Sequence, residues 1–264
     1  MTTPPNAFSV PPNADDRLNA AGGAIDLPLA ERILATGEIT SEHGIMRWGS
    51  NYASLVTVAG DQATLVAVYK PQRGERTLWD FPDGTLCYRE VLSYHVSQTL
   101  GWQLVPATVL RDGPHGLGSV QLFIEHDPAV NYFTLDDTFA DQLRMFAAFD
   151  AVVNNADRKG GHLLLDARGK LWGIDHGLTF HSTAKLRTVI WEFERQPIPN
   201  PLLEAMENLL NTILCQGAPW TELMQRWLTN SEVSALVRRI ERLLSTRVFP
   251  SPSSRGPSYP WPPV

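Results

Sequence analysis

The chain has 264 residues, 43% of them hydrophobic, with 8 Trp, enough apolar side chain for a sizeable core, which excludes a disordered or fibrous protein. A net charge of −6 and a pI of about 5.6 argue against nucleic acid as a partner and against broad adsorption to anionic membranes. Cys87 and Cys215 form no C-x-x-C pair, and neither a signal-peptide pattern nor a long apolar run is present, so a reduced, cytoplasmic protein with no integral membrane segment is expected.

Residues 1–26, rich in Pro, Asn, Ala and Gly, are expected to be a flexible N-terminal segment. Residues 27–36, LPLAERILAT, predict a short amphipathic helix. From Gly37 the pattern alternates, and YASLVTV and ATLVAVYK around Ala59-Gly60-Asp61 predict a hairpin. Just before it, Gly49-Ser50-Asn51 is a turn that could offer backbone N–H groups to phosphate or could be only a turn. The second strand ends at Lys70, where an ordinary surface lysine is the default reading, although a buried strand that delivers a Lys to its end is what phosphate binding needs. An irregular loop over 71–86 leads into a helix, CYREVLSYHVSQTLG, with Glu90 in its first turn and Gly101 at its end. Two more strands are expected within 103–127, the second over 119–124.

Thr134 is expected to open a helix whose stripe of Leu143, Phe146, Ala147, Phe149, Val152 and Val153 is core. It delivers the chain to the stretch that organises the rest, residues 154–180, NNADRKGGHLLLDARGKLWGIDHGLTF. Asp157 opens a polar loop, His162 follows five residues later, and Asp175 ends the next hairpin thirteen after that. Two acids and a His on the loops of one hairpin can converge to hold a divalent metal and activate a hydroxyl. Arg158 either neutralises a transferring group or anchors the loop, and Gly160 and Gly161 would let the backbone pass close to phosphates. His181, Lys185 and Arg187 form a small basic cluster that could bind an anionic acceptor or pair with Glu192 and Glu194. TVIWEF reads as a short strand or buried segment, three amphipathic helices follow between Pro201 and Arg247, and the Arg-rich last one is expected to be a solvated face. The Pro-rich tail, 248–264, reads as an extended, disordered end that could also be a docking ligand.

The fragments G-S-x-Y, A-V-Y-K-P, N-N-A-D-R-K-G-G-H and I-D-H-G, in this order, resemble the phosphatidylinositol 3/4-kinase-like superfamily, the type II phosphatidylinositol 4-kinases in particular, and an uncharacterised actinobacterial branch of it. The resemblance covers about residues 38–195 and implies an α+β, two-lobed kinase-like fold, with an antiparallel N-lobe sheet and one helix over 27–127 and a mainly helical C-lobe over 128–247. It implies ATP with Mg²⁺ or Mn²⁺ as cofactors, and transfer of the γ-phosphoryl group to an acceptor hydroxyl on a protein, a soluble polyol or a phosphoinositide. In that reading Gly49, Ser50 and Asn51 cover the phosphates, Lys70 holds them, and Glu90 orients Lys70. The hinge residues Phe123, Ile124 and Glu125 take the adenine, Asp157 accepts the acceptor's proton, and Asp175 is the main metal ligand. The family usually has Asn where this chain has His162, so His162 binds a softer metal, contacts phosphate, or weakens the activity. The alternatives are a nucleotide-binding pseudokinase, and a metal-dependent hydrolase built on Asp157, His162, Asp175, His176 and His181.

Overall fold

A computed structural model describes residues 26–46, 52–254 and 256–264. The expectations for Gly49, Ser50 and Asn51, and for nearly all of the N-terminal segment, lie outside these. Asp26 caps helix α1 (Leu27–Thr36), its carboxylate accepting from the Leu29 N–H at 3.2 Å. The helix stripe of Leu27, Ala30, Ile33 and Leu34 is buried against a five-stranded sheet. A Cβ on Gly60, in the hairpin turn, would fall 2.8 Å from the Ile33 side chain, so the close approach of turn and helix requires glycine there.

The sheet comprises β1 (Glu38–Met46), β2 (Ala53–Ala59), β3 (Thr64–Pro71), β4 (Thr108–Gly113) and β5 (Gly116–Leu122), in the order β1-β2-β3-β5-β4. Every pairing is antiparallel, and the predicted hairpin is β2–β3, closed at Ala59 and Thr64. Helix α2 (Leu86–Thr99) also packs on this sheet, so the two helices expected over 27–36 and around Glu90 both lie against it. Strand β5 stops at Leu122, two residues before its expected end, although the Phe123 N–H still donates to the Val66 carbonyl at 3.0 Å.

The other half of the molecule is helical. Thr134 does not open a helix: Asn131 and Asp136 each accept from the N–H two residues on, closing short 3₁₀ turns, and α3 runs only over Ala140–Val153. Its expected core stripe is buried. Two short strands, β6 (Leu163–Leu165) and β7 (Leu171–Gly173), make the small hairpin of the central stretch. The TVIWEF segment is no strand but a buried run, with Thr188 bridged to Arg158 and Val189, Ile190 and Phe193 in the core. Helices α4 (Asn200–Leu214), α5 (Pro219–Trp227) and α6 (Asn230–Thr246) are the three expected. A capping box between Thr229 and Glu232 starts α6.

Two expectations fail here for one reason: buried carbonyls and amides need partners. Arg239 of α6 is not on a solvated face. Its guanidinium donates to the carbonyl of Val152 at the end of α3 and to that of His181 in the segment after β7, whereas Arg238 and Arg242 are exposed. The tail is no loose end. Phe249 is buried beside Phe193, the Arg195 N–H donates to the Phe249 carbonyl, and Ser258 is buried. Among the described residues, no helix is long and apolar enough to cross a membrane.

Candidate active site

Strand β3, central in the sheet, carries Lys70 one residue before its end, and α2 brings Glu90 to meet it. The Lys70 ammonium donates to Glu90 Oε1 at 2.6 Å and to Asp175 Oδ1 at 2.5 Å. Glu90 is shared further: its Oε2 accepts the His176 N–H at 2.9 Å. One glutamate thus fixes both the lysine of the sheet and the backbone beside Asp175. Burial alone would lower the Lys70 ammonium, but the charges of Asp175 and Glu90 reverse this and raise it above the usual lysine range. Partial burial likewise works against ionisation of Asp175, yet Lys70 and His162 outweigh it and hold the carboxyl well below the usual carboxylate range. Asp175 has φ 61°, a left-handed backbone that a non-glycine residue adopts at a cost of about 1–3 kcal/mol. Its side chain is 47% exposed, so a charged and strained carboxylate faces solvent beside the lysine.

The loop carrying Asp157 is held from beneath. Asp150, fully buried on α3, accepts from Arg158 Nη2 at 2.9 Å and from Asn155 Nδ2 at 2.9 Å. Asn155 Oδ1 in turn accepts the Asp157 N–H at 3.0 Å. Asn154 closes α3 with φ 56°, and its amide donates to the carbonyls of His181 and Thr183, which ties the following segment to the loop. Arg158 is fully buried, bonded to Asp150, to the Ile174 carbonyl and to His176 Nε2. Of the two roles open to it in the sequence it has the anchor's, and its placement as a group acting on the transferring phosphoryl is corrected: no face of it reaches solvent.

Asp157 and His162 lie on the same side as Asp175. Burial raises the Asp157 carboxyl, against the pull of Lys159, whose ammonium is 3.3 Å away. His162 Nε2 stands 3.3 Å from Asp175 Oδ2, and burial pushes its pKa down to about 4, more than Asp175 can offset. The imidazole is therefore neutral at pH 7 and can present a lone pair, once the tautomer in which Nδ1 accepts from the Lys159 N–H is exchanged. Among the described residues, no group of three or more His, Cys, Asp or Glu could hold a metal ion unaided. The Asp175–His162 pair fits an ion whose remaining ligands arrive on a substrate.

Other expected site residues are placed less simply. At the hinge, the Phe123 N–H is engaged by Val66, the Ile124 carbonyl meets the His126 ring at 2.8 Å, and Glu125 is exposed. Gly160 is small for another reason than phosphate: a Cβ there would lie 2.8 Å from the Phe133 ring, while one on Gly161 would meet nothing. The hydrolase cluster does not assemble, since His176 is buried on Arg158 and His181 bonds the Asp80 carbonyl. Lys185 pairs with Asp80 at 2.7 Å and Glu192 accepts from the Tyr132 hydroxyl, and among the described residues no ion pair joins the basic cluster to Glu192 or Glu194. Arg89, which the sequence does not mark as functional, is fully buried, bonded to Glu232 and the Thr179 carbonyl, and clamps α2 to α6. An arginine beside the helix glutamate was the only available signal.

The profile of the phosphatidylinositol 3- and 4-kinase family matches residues 38–246. Protein Rv2133c of Mycobacterium tuberculosis is 38% identical over 265 residues, which cover 87% of this chain and 94% of that protein. The Helicobacter pylori proinflammatory kinase CtkA superposes with a TM-score of 0.47 at 12% identity, over 82% of this chain and 94% of its own.

Proposed function

The chain belongs to the phosphatidylinositol 3- and 4-kinase family, and we propose that it is an ATP-dependent phosphotransferase that moves the γ-phosphoryl group to an acceptor hydroxyl. The observation that carries this reading is the Lys70 ammonium held between Glu90 and Asp175. On nucleotide binding, a phosphate oxygen replaces the Asp175 carboxylate on Lys70, while Glu90 keeps the ammonium aimed. Asp175 and His162 would hold a Mg²⁺ or Mn²⁺ ion, which would supply charge neutralisation at the phosphates. Asp157, with its raised pKa, orients the acceptor hydroxyl and takes its proton. The transition state is loose, so the residues act chiefly by position and by charge. The acceptor is a hydroxyl of a protein, a soluble polyol or a phosphoinositide headgroup. The two free cysteines suit a cytoplasmic setting.

A second reading, a nucleotide-binding pseudokinase, rests on His162 standing where the family usually has Asn, beside Asp175 at 3.3 Å. The two are separated by following the γ-phosphate of ATP in Mg²⁺ and Mn²⁺, wild type beside Asp175→Ala, with each acceptor class supplied. Transfer that disappears in the variant supports the phosphotransferase. Nucleotide binding without transfer to any acceptor supports the pseudokinase.

A further inference from the structure

We propose that residues 256–264 are a positioning strap for the catalytic loop, in which the Pro263 carbonyl and the Ser258 turn set where Asp157 and His162 stand. The inference rests on the phosphotransferase reading. Two routes lead from this segment to the loop. The direct one is a hydrogen bond from the Gly160 N–H to the Pro263 carbonyl at 2.7 Å, between Asp157 and His162. The indirect one starts at the Ser258 carbonyl, which accepts the Thr188 N–H at 3.1 Å and the Trp191 indole N–H at 3.0 Å. Thr188 is flanked by the residues that grip the loop, for the Arg158 N–H donates to the Arg187 carbonyl and the Val189 N–H to the Arg158 carbonyl.

The fit at the direct contact is close. A Cβ on Gly160 would lie 2.8 Å from the Phe133 ring, which leaves no room for a side chain, and 3.5 Å from the Pro263 oxygen, in ordinary contact with the strap. The strap bonds the backbone of the loop, and none of its hydrogen bonds among the described residues goes to the side chains of Lys70, Asp157, His162 or Asp175. It therefore reaches the reacting groups through the backbone of their loop. A displacement of about 1 Å in such a loop can cost about a hundredfold in rate.

The test deletes residues 259–264, which removes Pro263 and leaves the Ser258 turn. The expected result is a kcat for phosphoryl transfer about ten- to a hundred-fold lower, with nucleotide KM unchanged and faster amide hydrogen exchange over residues 158–163. A peptide of residues 256–264 added in trans restores both. In the full chain, Gly160→Ala lowers kcat in the same way, and adding Phe133→Ala recovers it by making room for the new Cβ. Higher turnover on deletion would make the segment a cover over the acceptor and overturn the proposal, as would an unchanged kcat. The exchange readout separates the two failures: a full chain with no phosphotransfer fails the proposed function, whereas loop exchange unaffected by the deletion fails the strap.

Discussion

Two ion-pair networks lie within a few residues of each other and do opposite things. Arg158 and Asp150 are both fully buried, and every bond they make is to another buried group or to backbone. Lys70, Glu90 and Asp175 use the same charges, but Asp175 is 47% exposed and sits on a left-handed backbone. A closed pair can only hold a loop in place. An open pair with an exposed, strained member can exchange that member for a ligand. Carboxylate and cation chemistry alone therefore does not mark the site; access does. The two are joined by His176, whose ring accepts from Arg158 and whose N–H is held by Glu90.

The comparison breaks most visibly at its ends. Replacing Asp175 by Ala should lower phosphotransfer about a thousandfold or more, with the far-ultraviolet circular dichroism unchanged. Arg158→Met should do the reverse, costing about 3–5 kcal/mol of stability in urea unfolding because Asp150 is left buried and unpaired. Adding Asp150→Leu to it should recover much of that loss, since the uncompensated charge is gone; a double variant as unstable as the single one would show that the anchor acts through shape and not charge.

The open side can be sharpened by pH. Burial raises the Asp157 carboxyl in the folded protein, and the proton acceptor must be ionised. Phosphotransfer should therefore fall as pH drops through a midpoint above the ordinary aspartate value, and Asp157→Asn should erase that limb of a rate profile measured at saturating nucleotide. The smallest effect concerns the metal. His162→Asn exchanges a nitrogen ligand for an oxygen ligand and should shift the ratio of rates in Mn²⁺ and Mg²⁺ several-fold towards Mg²⁺. An unchanged ratio would remove His162 from the ion.

Much of the open site was legible in the sequence, because its parts sit at element ends that periodicity locates. Lys70 sits near the end of an alternating run, Glu90 lies early in a helix, though in its second turn and not the expected first, and Asp175 follows a short strand. The closed network was less so. Nothing in D-R-K-G-G-H distinguishes an arginine that faces phosphate from one that reaches back to Asp150, and the difference rests on a buried acid eight residues earlier. The docking of the tail was illegible for a similar reason. Its Pro-rich composition describes the segment alone, whereas its partners are the amides of Thr188 and Gly160, far away in sequence. Arg239 misled because it shares an Arg-rich helix with the exposed Arg238 and Arg242, while the carbonyls it meets, of Val152 and His181, lie far away in sequence.

The most direct measurement is equilibrium binding of ATP to the wild-type chain with Mg²⁺, with Mn²⁺ and with neither, alongside the same titrations of Lys70→Met. If Lys70, Glu90 and Asp175 form a nucleotide receptor, binding requires a divalent ion and weakens sharply in the lysine variant. Binding that ignores both the ion and Lys70, or no binding in either metal, would contradict it.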